Sequence, residues 1–430
     1  MALTCWTSAL ATSMMSAAPV GRPATTGFID DATTGVRCHW ERKKDEALCA
    51  EVLLAVATSW EVQVTEGGWP TPFTDGQKGG SDGVDFYLST DAELGAYTWS
   101  NYQDFDPDDG RFASTSYVVI DPRVKDIHLF VAHEFNHVLQ FAVDTTEPSY
   151  VPWEAAATLA EEQTYPGEGS MPDVASDFQK TPWESVLGDG THLWEEFDIW
   201  SFYEYGSSLW MAHLFEEWGV EPVDLWWAMT NETWQNEPDV WDAVHALTGD
   251  ADASLVSFSV ARGRIGRDDA DDWLQDINAS VRIQGELVEL DKPVSPRQAI
   301  QDLGAGFFDV EIEGRYVLRH DADPETRWRI VDVDTGEELN DDSVLEGPHR
   351  VAWVNVGPED LDIDAHCDGY CAFPGRSLSV WAEVAPLLDD EEEGGEPAVE
   401  PAGCACSSNG SVASGWALLG VLMLGFRRSS

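Results

Sequence analysis

After Asp126 the chain runs Ile127-His-Leu-Phe-Val-Ala-His133-Glu134-Phe-Asn-His137-Val-Leu-Gln-Phe141, an apolar stretch interrupted by two histidines and a glutamate. Ile127, Phe130, Val131, Val138, Leu139 and Phe141 supply an apolar surface broad enough for a helix buried on most sides. Residues four apart share one helix face, about 6 Å apart along the axis. His133 and His137 can therefore close on one metal ion, at roughly 2 Å each. Glu134 follows the first histidine directly and leans into the same site without taking a coordination position. Zinc at that point would bring its bound water towards a pKa of about 7, and Glu134 could take the proton as that water attacks a carbonyl.

A catalytic zinc site keeps three protein ligands and leaves the fourth position for water. Asp144 to Pro152 is a short polar connection with two prolines, followed by the strong helix former Trp153-Glu-Ala-Ala-Ala-Thr-Leu-Ala-Glu-Glu162. A turn of this length returns the chain antiparallel and sets the start of the second helix beside the first. Glu154, in that first turn, is the expected third ligand, unless it only complements the positive end of the helix dipole. Glu161, two turns further along the same face, is the competing ligand or a supporting carboxylate. Thr158 is placed to hydrogen-bond a ligating histidine.

HExxH is the signature of zinc metallopeptidases. With Glu154 on a following helix, the chain resembles the gluzincin branch of the zincins. More closely, it resembles a group of secreted metalloprotease-like proteins of myxobacteria and their relatives. The stretches that carry this are Val84-Asp-Phe-Tyr-Leu, Leu94-Gly-Ala-Tyr, Ser116-Tyr-Val-Val-Ile-Asp121, the HEFNH helix, Trp153-Glu-Ala-Ala-Ala-Thr with Tyr165-Pro, and Tyr205-Gly-Ser-Ser-Leu-Trp. The spacing to Glu154 is shorter than in thermolysin-like enzymes, and Thr158 stands where an acidic residue is often found. The resemblance implies an α+β fold: a zincin-like metallopeptidase domain, expected over residues 26–275, with one catalytic Zn2+ and a protein or peptide as substrate. It also implies that the strand leading into the motif helix, Ser116 to Ile120, is an edge strand that pairs with an extended peptide.

The formal net charge of −55 argues against nucleic acid as a partner, since phosphates would be repelled, and against anionic membrane surfaces. A solvated acidic surface that keeps an exported protein soluble is the simpler reading. Asp104-Phe-Asp-Pro-Asp-Asp-Gly110 fails the EF-hand template, because Pro107 intrudes and the glycine comes one position late. It is not read as a calcium loop.

The seven cysteines suggest two local disulfides, Cys38–Cys49 and Cys367–Cys371, and hence an oxidising compartment. Cys5 is left over near the start, and Cys404 and Cys406 lie in the tail. Residues 1–25 read as an export segment, with a cleavage point after Ala18. An acidic linker, 388–403, leads to a tail, 404–430, in which Cys404-Ala-Cys406 precedes the apolar run Trp416 to Phe426 and Arg427-Arg428. This tail resembles the myxobacterial C-terminal sorting signal, which implies cleavage near the cysteines and an exported protein, surface-attached or released. Any membrane contact is expected through that tail alone.

Between the ends, a helix is expected from Trp40 to about Thr65, then strands at Val84–Ser89, Leu94–Ser100 and Thr115–Asp121. After an aromatic, loop-rich stretch, helices follow near Tyr205–Trp218, Val223–Met229, Val240–Leu247 and Leu255–Arg264. From about Val281 short strands and turns dominate, read as an all-β sandwich domain over 281–387. An oxyanion donor is needed as well. Tyr205 is the leading candidate, with His213 and His192 as alternatives. These features together point to a secreted or surface-attached zinc endopeptidase. The competing readings are a non-catalytic adhesion protein on a zincin shell, and an aminopeptidase.

Overall fold

Five strands make the first sheet: β1 (Gly27–Asp30), β2 (Arg37–Trp40), β3 (Asp85–Leu88), β4 (Ala96–Asp106) and β5 (Arg111–Ile120), in the order β1-β2-β3-β5-β4. β2, β3 and β5 are parallel neighbours, while β1 and β4 close the two edges antiparallel. The computed structural model describes residues 21–93, 95–106, 111–190, 202–230, 238–367 and 371–386, with the backbone alone described at 101–106. Most of the expected export segment, the linker and tail, Cys5, Cys404, Cys406 and His192 lie outside the described residues.

Side chains alternate across this sheet. Phe86, Leu88, Val118 and Ile120 point into the main core, while Tyr87, Tyr117 and Val119 form a smaller aromatic cluster on the other face. The main-core face is covered by α1 (Glu46–Ser59), continued by a π-helical turn to Glu66, and by α2 (Ile127–Val143). The stretch Lys43–Glu66 is long and apolar enough to cross a membrane, with mean hydropathy 1.4. Cys49, Val52, Leu53 and Val56 on it are nevertheless buried in the core shared with α2. The expected helix start at Trp40 was too early, because Arg37–Trp40 pairs with both β1 and β3. Cys38 on β2 and Cys49 on α1 are disulfide-bonded, stapling strand to helix.

α3 (Tyr150–Thr164) returns antiparallel to α2, and α4 (Met171–Lys180) follows it, in a stretch expected to be loop. Then come α5 (Tyr203–Gly206), α6 (Ser208–Trp218), α7 (Pro222–Met229), α8 (Val240–Thr248) and α9 (Ala251–Arg264), close to the expected spans.

The β-rich part holds a five-stranded sheet in the order β11 (Glu338–Leu339), β10 (Arg327–Asp332), β13 (His349–Gly357), β8 (Ala305–Val310), β6 (Gly285–Leu287). A second sheet is ordered β12 (Val344–Glu346), β9 (Arg315–Ala322), β15 (Leu378–Val384), and β7 (Ile300–Gln301) pairs with β14 (Gly375–Arg376). Phe308, Val310, Val351 and Trp353 share one buried cluster with Tyr316, Leu318, Val380 and Ala382, so the two larger sheets enclose a common core. The opposite face of the larger sheet is not free. Phe307, Ala352, Val354 and Val356 belong to the main core, together with Phe258 and Ala261 of α9. These strands are therefore buried on both faces, and the described residues up to Ala385 form one compact unit. Cys367 and Cys371 form the second disulfide. The architecture is mixed α+β, as expected.

Candidate metal centre

α2 is packed against the sheet, α1 and α3, and buries His133, Glu134 and His137. The polar connection before α3 is organised by Asp144, whose Oδ1 accepts from the backbone N–H and the hydroxyl of Thr146 at 2.8 and 2.7 Å. Pro152 falls in the first turn of α3, where a proline costs no hydrogen bond. α3 begins at Tyr150, so Glu154 sits in its second turn rather than its first.

The two helices bring three ligand atoms together. His133 Nε2 lies 3.1 Å from His137 Nε2 and 3.1 Å from Glu154 Oε2, and His137 Nε2 lies 3.6 Å from the same oxygen. A tetrahedral ion with bonds of about 2.0–2.1 Å sets its ligand atoms about 3.3 Å apart. The triangle has that size, and the three residues form a group able to hold a metal ion.

The other ends of the two imidazoles fix their tautomers. His137 Nδ1 is 2.6 Å from Gln140 Oε1, and Gln140 Nε2 donates to the Trp153 carbonyl at 3.1 Å. A carbonyl can only accept, so the amide orientation is fixed and His137 Nδ1 is the donor. His133 Nδ1 is 2.8 Å from Glu161 Oε1, while Glu161 Oε2 accepts from the Ser170 N–H and hydroxyl at 3.0 and 2.6 Å. With both Nδ1 atoms donating, neutral imidazoles turn their Nε2 lone pairs toward each other and toward a carboxylate. Three converging acceptors require a cation between them: a metal ion or a proton. Burial works to lower the pKa of His133, but its hydrogen bonds to Glu154 and Glu161 prevail and hold it well above the ordinary value. Burial works to raise Glu154, and the two histidines outweigh it, holding that carboxyl well below its usual range. Glu161 is thus the carboxylate that orients His133, and Glu154 is the one that faces the ion position.

Glu134 is 2% exposed. The hydroxyl of Thr98, on β4, lies 2.7 Å from its Oε2 and 3.0 Å from its carbonyl oxygen. Burial raises the Glu134 pKa, countered in part by His137, His133 and the Thr98 hydrogen bond. Tyr205 stacks its ring on His133, with centroids 5.9 Å apart, and its phenol lies near the Glu154 carboxylate. Burial and the nearby carboxylates keep that phenol protonated, well above its ordinary pKa. Trp153 packs between His137, at 6.4 Å, and Trp226, at 4.4 Å.

Three expectations fail here. Among the described residues the buried Thr158 hydroxyl has no hydrogen-bond partner; Glu161, one turn further, orients His133 instead. His213 is bonded to Ser257 at 2.8 Å and packs on Phe258 and Trp273, so it belongs to the helical core. The strand Ser116 to Ile120 is not an edge, because β5 is paired on both sides. The edge beside the motif helix is β4, which folds back antiparallel on β5 and so occupies the outer position.

Asp332, Asp334 and His349 also lie close together. There the charges are already matched: His349 Nδ1 is 2.8 Å from Asp332, and Asp334 accepts from Arg267 and from the Arg350 N–H. Compared with known protein families and with curated proteins, the chain matches none.

Proposed function

We propose that this chain is a zinc-dependent endopeptidase of zincin type, exported and acting at the cell surface or outside the cell. The observation that carries the reading is the convergence of His133 Nε2, His137 Nε2 and Glu154 Oε2, with the buried Glu134, next in the chain after His133, interacting electrostatically with both histidines. Two imidazoles and one carboxylate are the donor set of a catalytic zinc site that keeps one position open. A zinc ion held by them supplies Lewis acidity and lowers the pKa of a bound water.

The chain's own groups then divide the work. Glu134 takes a proton, through the oxygen that Thr98 leaves free, from the water that attacks the carbonyl carbon, and passes it to the amine that leaves as the C–N bond breaks. Tyr205, kept protonated, is the hydrogen-bond donor to the charge that develops on the carbonyl oxygen. The outer edge of β4 is the surface on which an extended protein or peptide substrate lies. The acidic surface disfavours nucleic acid as a ligand, and the two disulfides favour an oxidising compartment.

The test is metal analysis of the purified full chain combined with hydrolysis of a protein substrate such as casein. One zinc per chain is expected in the wild type and in Glu134→Gln, and none in His137→Ala. Hydrolysis is expected in the wild type only. A chain that holds no divalent metal after zinc loading, or a Glu134→Gln variant as active as wild type, would overturn the proposal.

A further inference from the structure

Thr98 is 2% exposed and lies on β4, the edge strand, opposite Val118 of β5. In an antiparallel ladder, residue pairs alternate between those that exchange hydrogen bonds and those whose N–H and C=O point outward. The alternation can be phased here. The Asp121 N–H donates to the Gly95 carbonyl at 2.9 Å, which makes Gly95–Asp121 a bonded position. In the observed register Ala96–Ile120 is then non-bonded, Tyr97–Val119 bonded and Thr98–Val118 non-bonded. The peptide groups of Thr98 therefore face away from β5. Among the described residues no further strand is paired on that side. The side chain of the same residue stands out of the sheet plane and meets α2, where its hydroxyl is 2.7 Å from Glu134 Oε2.

We propose that Thr98 is the positioning residue for Glu134, holding one carboxylate oxygen so that the other faces the ligand triangle. Resting on the endopeptidase reading, this makes one residue set both the strand edge and the base. A substrate strand hydrogen-bonded at Thr98 is registered against the carboxylate that takes the attacking water's proton. Among the described residues no other side chain is hydrogen-bonded to Glu134. Thr98 itself does not touch the reacting atoms.

The test uses the full chain, zinc-loaded, with Thr98→Val, which removes the hydroxyl at nearly constant shape, and Thr98→Ala and Thr98→Ser. The first readout is the infrared carboxylate stretch of Glu134, assigned as the band lost in Glu134→Gln. It is expected to shift in Thr98→Val and Thr98→Ala and to return to the wild-type position in Thr98→Ser. The second is steady-state hydrolysis of a peptide that the wild type cleaves. A charge-assisted hydrogen bond of ordinary strength predicts a fall in kcat of about 10- to 100-fold in Thr98→Val. KM should stay within about twofold, zinc content should be unchanged, and Thr98→Ser should recover most of the rate. Should Thr98→Val fold poorly, the Ala and Ser pair carries the comparison. An unmoved band in Val or Ala, or wild-type kcat in either, overturns the proposal. A shifted band in a chain whose wild type cleaves nothing overturns the peptidase reading and leaves the Thr98 contact to Glu134 standing.

Discussion

Gln140 ties His137 to the backbone that carries Glu154. Its Oε1 is 2.6 Å from His137 Nδ1, and its amide nitrogen donates to the carbonyl of Trp153, the residue just before Glu154. One side chain thus fixes the tautomer of one ligand and the approach of another.

That link predicts a metal-affinity effect. Gln140→Leu keeps the bulk but removes both hydrogen bonds, freeing the His137 ring to rotate. Zinc affinity, measured by competition with a chromogenic chelator, is expected to fall about 10- to 100-fold, the usual consequence of losing such an outer contact. An affinity within twofold of wild type would show that Gln140 is only a core contact.

Glu154 and Glu161 should separate cleanly. Both contact His133, but Glu154 Oε2 faces both Nε2 atoms, whereas Glu161 accepts from Nδ1 and is held by Ser170. Glu154→Ala is expected to lose stoichiometric zinc at micromolar free metal, and Glu161→Ala to retain it with weaker binding. Zinc retained in Glu154→Ala and lost in Glu161→Ala would reverse the two roles.

What the sequence reveals is what local periodicity and spacing can encode. The four-residue spacing of His133 and His137 and the short return to Glu154 are properties of two helices and one turn, so both were legible. So were the longer strands of the β-rich part, whose apolar runs are bounded by turns. Gly27–Asp30 and Arg37–Trp40 were not, because four-residue strands rich in polar residues lack a pattern of their own and form only by pairing. Strand order was not legible either. Nothing within Ser116 to Ile120 says that β4 will lie outside it, and its unbroken apolar run fits a central strand as well as an edge. Thr98 and Ser170 reach the site from elements remote in sequence. Glu161 was visible as a carboxylate on the right helix face, but only the packing of α3 on α2 decides which carboxylate meets the ion position.

The Cys38–Cys49 bridge predicts a stability change separable from the metal. The cysteines are 11 residues apart, a loop for which the chain-entropy relation gives about 3 kcal/mol. The double variant Cys38→Ser/Cys49→Ser also places two hydroxyls in the core, since both positions are fully buried. Thermal unfolding should begin several degrees lower, with zinc content unchanged in the folded protein at low temperature. A melting temperature equal to wild type would mean that strand and helix are held by packing alone.

His213 sets a pH dependence whose sign follows from its surroundings. It is 2% exposed, Nε2 is 2.8 Å from the Ser257 hydroxyl, and burial pushes its pKa down to about 4 from an ordinary 6.5. Below pH 6.5 the unfolded chain takes up a proton at this residue while the folded chain does not, so acid favours unfolding. Its contribution is fully present above pH 6.5 and is lost as pH falls toward 4, amounting to roughly 3 kcal/mol over that window. His213→Gln keeps a hydrogen-bonding group and removes the titration. Its denaturant-derived stability should therefore fall less steeply than that of the wild type between pH 6.5 and 4.5. Parallel stability curves for the two proteins across that window would show that His213 is already charged in the folded state, or that acid reaches it without unfolding the helices around it.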